Sequence, residues 1–202
     1  MVKILVFGDS IAWGAFDNEF GGWTERLKTH FLKNYEEKGI GVYNLSVSSN
    51  DTRGVLEFLE QDIKKIAKIE PEKNIFIFSI GSNDPRYMDK QNNVVVPKKE
   101  FEENLKKIIN ISKKHSKKII FTGLMGVDEK LTLPWTDNEY WENAGIEAYD
   151  SIIQRICEQE KIEFIPLIDL IDKTELHDGL HPNTKGHEKI FERIKKYLEK
   201  EI

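Results

Sequence analysis

The chain has 202 residues, of which 39% are hydrophobic and 32% charged, so it is long enough for one well-cored domain and short for two. Its formal net charge of -5 argues against nucleic-acid binding as its main role, because such sites are usually basic. No apolar run approaches the ~20 residues of a membrane span, and Met1 leads directly into a short strand instead of a signal peptide. We therefore expect one cytoplasmic domain over residues 1–202 that makes no stable membrane insertion.

Apolar runs and amphipathic stretches alternate along the chain. The runs predict strands at 4–7, 42–45, 74–80, 118–122 and 163–167, and Pro166 makes the last of these an edge strand. Apolar residues at helical spacing predict helices at 22–38, around 55–66, around 101–111, at about 137–160 and at about 183–199. This alternation is typical of βαβ units. The predicted fold is a three-layer α/β/α sandwich with a mostly parallel, flavodoxin-like sheet of about five strands.

Ser10 follows the first predicted strand, after Gly8 and Asp9. In open α/β sheets, ligands bind beyond the carboxyl ends of the strands. A serine hydroxyl there becomes a nucleophile once a base takes its proton, and a free N–H at the start of a helical turn can donate to an oxyanion. The alternative is that Ser10 only caps a helix, which is the commoner role for a lone serine at this place.

Asp178 and His181 lie in a loop before the last predicted helix. A nearby aspartate can hold an imidazole in one tautomer and stabilise its protonated form. The alternatives are an Asx-type turn beside a surface histidine, or a metal site that also uses His177 and His187. No CxxC or HExxH spacing supports a metal, so we expect neither a metal nor a cofactor.

Two more polar segments follow predicted strands. Asn83 comes after the strand at 74–80, where its side-chain amide can donate to an oxyanion or form an ordinary turn. The loop at 48–52 can offer a backbone N–H to the same oxyanion, or can simply end in a helix cap at Asp51 or Thr52. Because the carboxyl ends of parallel strands share one edge, these groups together meet the requirements for acyl transfer.

Three sequence blocks resemble those of the GDSL or SGNH hydrolases, and the resemblance covers nearly the whole chain. Phe7-Gly8-Asp9-Ser10 looks like the first block, Gly81-Ser82-Asn83-Asp84 like the third, and Asp178-Gly179-Leu180-His181-Pro182 like the last. The Gly-x-Ser-x-Gly elbow of α/β-hydrolases does not occur. The resemblance implies a three-layer α/β/α fold.

The resemblance also implies roles for individual residues. Ser10 would be the nucleophile and the first oxyanion donor, Asn83 would donate through its side chain, and Asp178 and His181 would complete a triad. The second block departs from the family pattern, which usually has a glycine before Asp-Thr whose N–H is the middle donor. The segment at 44–52 has no glycine and has one extra residue, so Ser49 or Asn50 is expected to supply that N–H.

The expected function is hydrolysis of a small-molecule ester, carboxylic or thio-, with a small to medium acyl group, through an acyl-enzyme. The alternatives are an acyltransferase with the same triad and a non-catalytic flavodoxin-like binding module. The absence of a glycine-rich phosphate loop argues against the module. The loops at 11–22 and 124–135 are expected either to form the substrate pocket or to seal the core, through the residues Trp13, Phe16, Leu124, Met125 and Trp135. The sequence does not predict an oligomeric state.

Overall fold

A computed structural model describes residues 2–33, 39–67, 73–89 and 93–201 of the chain. Among these residues, five strands form one sheet: β1 (Val2–Gly8), β2 (Ile40–Asn44), β3 (Asn74–Ser79), β5 (Lys118–Thr122) and β7 (Glu163–Ile165). Their order is β2-β1-β3-β5-β7, and every neighbouring pair is parallel. Two short strands, β4 (Tyr87–Met88) and β6 (Glu139–Tyr140), pair antiparallel outside this sheet. The predicted parallel sheet is confirmed, with β7 at its edge.

Helices connect the strands. They are α1 (Ser10–Trp13), α2 (Trp23–Leu32), α3 (Thr52–Ile66), α4 (Lys98–Ser112), α5 (Glu129–Thr132), α6 (Asn143–Glu160) and α7 (Thr184–Glu201), and a 3₁₀ turn lies at Lys173–Glu175. The helix predicted at 22–38 begins as expected, but residues 34–38 lie outside the described residues. The helix predicted from 137 begins only at Asn143, because Glu139 and Tyr140 pair with β4.

Two hydrophobic cores lie on opposite faces of the sheet. Side chains alternate along β1, so Leu5 and Phe7 face one core while Ile4 and Val6 face the other. Helices α3, α4 and α6 cover the first core, and α2 and α7 cover the second. In α3, Val55, Leu59 and Ile63 recur every four residues and form its buried stripe. The molecule therefore has the three layers that the sequence predicts.

The strand order determines where a ligand can bind. β1 lies between β2 and β3, so the chain crosses over β1 on its way from β2 to β3 and then continues outward to β5 and β7. In flavodoxin-like sheets this reversal opens a crevice beyond the carboxyl ends of β1 and β3. Ser10 and Asn83 follow those two strands. Within the described ranges, no helix is long and apolar enough to span a membrane.

Candidate active site

Ser10 is the first residue of the short helix α1, as its sequence position predicts. Asp9 caps this helix, since its carboxylate accepts the N–H of Ile11 at 2.9 Å. The N–H of Ser10 has no hydrogen-bond partner among the described residues. It is therefore a free donor at a helix start, and Ser10 as a whole is buried, with 8% of its surface exposed.

Gly8 allows the chain to turn sharply between β1 and α1. A Cβ atom at this position would lie 2.4 Å from the backbone oxygen of Ser79 and 2.6 Å from Cβ of Ala12. Any larger residue would push α1 away from the end of β3. The glycine of the first sequence block is thus required by the close approach of two backbones.

The structure brings Ser10, His181 and Asp178 together. The Ser10 Oγ lies 2.9 Å from Nε2 of His181, and Nδ1 of His181 lies 2.8 Å from Oδ2 of Asp178. With the proton of the neutral imidazole on Nδ1, Nε2 is the atom that accepts from the serine hydroxyl. His181 is 6% exposed, so this arrangement is largely shielded from water.

The second carboxylate oxygen of Asp178 fixes the loop that carries it. Oδ1 accepts the backbone N–H of Leu180 at 3.0 Å and that of His181 at 2.8 Å. Burial alone would raise the pKa of Asp178, but the hydrogen bonds and charge of His181 outweigh it and lower the pKa to about 2. Asp178 therefore remains ionised at all ordinary pH values.

Asn83 lies beside the loop that follows β2. Its Nδ2 donates to the backbone oxygen of Asn50 at 2.8 Å, which orients the amide and leaves its second hydrogen available. The N–H of Asn50 donates to Val47 at 3.2 Å, and Ser49 has a positive φ of 67°. The N–H of Ser49 has no partner in the described part of the chain, which favours Ser49 over Asn50 as a donor.

Asp84 and Thr52 form a buried contact next to Asn83 that no pattern in the sequence predicts. Asp84 accepts hydrogen bonds from both the N–H and the hydroxyl of Thr52. Burial raises the pKa of Asp84 to about 7, against the lowering effect of these bonds. The helix cap expected at Asp51 or Thr52 is Asp51, which accepts the N–H of Arg53 at 2.9 Å.

Aromatic rings surround the imidazole of His181. The ring of Phe16 lies 5.2 Å from it, centroid to centroid, and also stacks on His177 at 4.2 Å. The ring of Trp135 lies 5.9 Å from it, and Nε1 of Trp135 donates to Oδ2 of Asp178 at 3.3 Å. Phe16 has a φ of 65°, which is unusual for a bulky residue, so the surrounding structure must hold it in this position.

The other expected pocket residues lie in different environments. Trp13 is 56% exposed at the end of α1. Leu124 and Met125 are 3% and 6% exposed and pack into the two cores on opposite faces of the sheet. These two residues therefore occupy core positions. A role in substrate binding for Trp13, Leu124 or Met125 stays a prediction.

His187 does not join the loop of His177 and His181. It is completely buried, its Nε2 lies 2.9 Å from the backbone oxygen of Ala15, and its Nδ1 accepts the N–H of Trp23 at 3.3 Å. Burial lowers its pKa, so it is a neutral histidine that links α2 and α7 to the segment after α1. Within the described ranges, no three His, Cys, Asp or Glu side chains are grouped to hold a metal ion.

Comparisons with known proteins identify a family. The family model of the GDSL-like lipase/acylhydrolase family matches residues 6–189. The isoamyl acetate-hydrolyzing esterase 1 homologues of Bos taurus and Homo sapiens are 24% and 22% identical to this chain. Each of these matches covers 99% of this chain and 82% of the relative.

Solved structures share the fold. The acetylxylan esterase Axe2 from Geobacillus stearothermophilus superposes with a TM-score of 0.73 at 21% identity, over 96% of this chain and 93% of Axe2. LAE5, an α/β hydrolase from the metagenome of Lake Arreo in Spain, superposes with a TM-score of 0.75 at 18% identity, over 96% and 94% of the two chains.

Proposed function

Because this chain belongs to the GDSL-like lipase/acylhydrolase family, a family of ester hydrolases, we propose that Ser10, His181 and Asp178 are its catalytic triad. The observation that carries this proposal is the pair of contacts through His181, 2.9 Å to Ser10 Oγ and 2.8 Å to Asp178 Oδ2. This is the chain of nucleophile, base and orienting acid that acyl transfer through a serine requires.

In the proposed mechanism, Nε2 of His181 takes the hydroxyl proton as Ser10 Oγ attacks the ester carbonyl. The carbonyl π electrons move to oxygen and form a tetrahedral oxyanion. When this intermediate collapses, the C–O bond to the alcohol breaks, and the departing oxygen takes the proton from His181. Water then repeats the cycle on the acyl-Ser10 ester and releases the acid. The ionised Asp178 stabilises the imidazolium in both halves of the reaction.

The developing oxyanion needs donors that are already in position. The N–H of Ser10 is free at the start of α1, and the amide of Asn83 is held in place by Asn50. We assign the remaining donor to the turn at Ser49 and Asn50, where the free N–H of Ser49 is the better candidate. Removing one such donor typically lowers the rate ~10²–10³-fold.

The relatives point to short acyl esters. The bovine and human relatives are named for isoamyl acetate, and the Geobacillus relative for acetylxylan. In the Geobacillus enzyme, variants of a serine, of an aspartate and of the histidine three residues after that aspartate are described as catalytic mutants. Asp178 and His181 have the same spacing. Small-molecule esters with an acetyl or other short acyl group are therefore the substrates to test first.

Covalent labelling of the serine tests the triad directly. The wild type and the variants Ser10→Ala and His181→Ala are treated with a fluorophosphonate, and the adduct is located by mass spectrometry. We expect a stoichiometric adduct on Ser10 in the wild type, no adduct at that position in Ser10→Ala, and much slower labelling in His181→Ala. Turnover of p-nitrophenyl acetate, butyrate and octanoate in the same samples gives the acyl preference.

A folded wild type that forms no adduct on Ser10 and hydrolyses none of the three esters would contradict the proposal. Circular dichroism of all three proteins shows whether a loss of labelling is chemical or comes from unfolding. Labelling at a residue other than Ser10 would also contradict the assignment of the nucleophile.

A further inference from the structure

Asp84 is a buried carboxylate that the proposed triad does not use. It directly follows Asn83 and is 0% exposed. Both of its oxygens accept the N–H of Thr52 at 3.2 Å, and Oδ1 also accepts the Thr52 hydroxyl at 2.5 Å. Among the described residues, no cation forms an ion pair with Asp84. Hydrogen bonds from Thr52 are therefore what compensates its burial.

Thr52 is held from a second side by α4. Nδ2 of Asn104 donates to Oγ1 of Thr52 at 3.1 Å, and both residues are buried. Because the Thr52 oxygen already accepts from Asn104, its own proton is directed at Asp84. The three side chains thus form a buried chain of hydrogen bonds with a defined direction, Asn104 to Thr52 to Asp84.

The sheet topology explains why such a contact is needed. β2 and β3 are not neighbours, because β1 lies between them, so no strand ladder joins the loops that follow β2 and β3. Two side-chain contacts join these loops instead. Asn83 donates to the backbone oxygen of Asn50, and Asp84 accepts from Thr52. They bridge the two loops beyond the end of β1, where Ser10 begins α1.

We propose that Asp84 is a positioning residue for the oxyanion hole, which it serves by holding Thr52 and so fixing the turn at 48–50 against the Asn83 amide. The inference rests on the proposed function of Ser10 and Asn83. Asp84 touches no reacting atom and acts only through Thr52. Donors to the oxyanion act in the transition state, so their displacement lowers kcat and leaves KM nearly unchanged.

A double-mutant cycle between Asp84 and Asn83 tests this role, with p-nitrophenyl acetate at pH 8, above the pKa of about 7 that burial gives Asp84. Asp84→Asn keeps the side-chain shape but removes the negative charge that accepts from Thr52, and its NH₂ group stands where Oδ2 accepted the Thr52 N–H. We expect kcat to fall ~10–100-fold, with KM within about threefold of the wild type. Asn83→Ala should lower kcat ~10²–10³-fold. The double variant should stay within about threefold of Asn83→Ala, because the hole is already disrupted.

Asp150→Asn is the matched control. Asp150 is also buried and accepts a backbone N–H, that of Leu124 at 2.7 Å, but it does so beyond the end of β5. We expect its kcat to stay within about threefold of the wild type. Thr52→Val serves as a second variant if Asp84→Asn does not fold. It replaces the hydroxyl by a methyl group and keeps the Thr52 N–H, so kcat should fall by a smaller factor than in Asp84→Asn. In the Asn83→Ala background, Thr52→Val should lower kcat no further.

Several results would overturn the proposal. These are an unchanged kcat in Asp84→Asn, an effect on KM alone, multiplicative losses in the double variant, or an equal loss in Asp150→Asn. Wild-type turnover and Ser10 labelling are measured first. An inactive, unlabelled wild type overturns the proposed function and this inference together, whereas an active wild type with an unaffected Asp84→Asn variant overturns only the positioning role.

Discussion

At the scale of single residues, Asp178 uses its two oxygens for different purposes. Oδ2 accepts from the His181 ring, while Oδ1 accepts two backbone N–H groups of its own loop. One carboxylate therefore both orients the imidazole and sets the conformation of the segment that presents it. An asparagine can retain only one of these functions fully, because its amide nitrogen cannot accept a hydrogen bond.

Asp178→Asn should therefore lower kcat/KM of ester hydrolysis by roughly 10²–10⁴-fold. The amide cannot stabilise the imidazolium, and it favours the wrong tautomer of His181 if its NH₂ group faces Nδ1. Steady-state kinetics with p-nitrophenyl acetate measures the loss. Asp172→Asn is the control, because Asp172 caps the nearby 3₁₀ turn and is exposed. A variant of Asp178 that retains more than about a tenth of the wild-type activity would contradict the proposed triad.

The same residue predicts how stability depends on pH. The folded-state pKa of about 2 lies below the ordinary value of 3.8, so the ionised carboxylate stabilises the folded state at pH values above 3.8. This stabilisation, about 2 kcal/mol, is lost as the pH falls toward 2. Urea unfolding should thus show a stability difference between wild type and Asp178→Asn at pH 5 that shrinks as the pH falls below 4. A difference that grows on acidification would contradict this.

At the scale of secondary structure, the β1–α1 turn carries the nucleophile because the chain reverses direction within a few residues. Gly8 ends β1, Asp9 caps α1, and Ser10 begins it. The turn lies so close to β3 that no Cβ fits at Gly8. The position of the serine hydroxyl is therefore set by backbone packing between two strands and a helix.

Gly8→Ala should disrupt both activity and stability. Its Cβ would meet backbone and Cβ atoms that cannot move aside separately, so α1 must shift. We expect kcat/KM to fall at least roughly 10²-fold and the free energy of unfolding to fall by about 1–3 kcal/mol. Gly41→Ala in β2 is the control, since its Cβ would contact only the Tyr43 side chain, at 3.4 Å or more. Equal effects of the two substitutions would count against this account of the turn.

The start of α6 shows where prediction from the local pattern fails. Residues 137–142 continue the helical pattern in sequence, yet Glu139 and Tyr140 pair with β4, and the rings of Tyr87 and Tyr140 stack at 5.1 Å. Trp141 is buried and donates to the backbone oxygen of Ser82. These contacts with the segment after β3 stabilise an extended conformation here in spite of the helix propensity. Their partners, Ser82 and Tyr87, lie more than 50 positions earlier in the chain.

At the scale of the whole molecule, a stack of aromatic rings crosses three strands of the sheet. Phe7, Phe78 and Phe121 are register partners on β1, β3 and β5, with ring centroids 5.2 Å and 4.9 Å apart. The stack lies in the core covered by α3, α4 and α6. The stack joins β1, which precedes Ser10, to β3, which precedes Asn83. The packing of this core therefore fixes the positions of these two site residues relative to each other.

Phe78→Ala should destabilise the fold by about 3–5 kcal/mol, because it opens a cavity in the middle of this stack. Phe58→Ala is the same substitution at a position that is 49% exposed, and it should change stability by less than about 1 kcal/mol. Chemical denaturation followed by circular dichroism measures both. Similar losses at the two positions would show that burial does not determine how much each phenylalanine contributes to stability.

The blocks of Ser10 and Asn83 could be found from the sequence because each has a local pattern after a strand, and the block of Asp178 and His181 because it has one before the last helix. The role of Asp84 could not, since it depends on β1 separating β2 from β3 and on Thr52 lying opposite. The choice between Ser49 and Asn50 also needed the turn geometry, because only the structure shows that the Asn50 N–H donates to Val47. Contacts between loops that lie far apart in the chain could therefore not be predicted from this sequence alone.

The closeness of Trp135 to His181 offers an optical signal from the proposed site. The two rings lie 5.9 Å apart, and Nε1 of Trp135 donates to Oδ2 of Asp178 at 3.3 Å, so the indole lies against two members of the proposed triad. A molecule that enters the site beside His181 changes the surroundings of this indole, so emission from Trp135 should report that the site is occupied, without any turnover. The change in emission on addition of a non-hydrolysable ester analogue should disappear in Trp135→Phe.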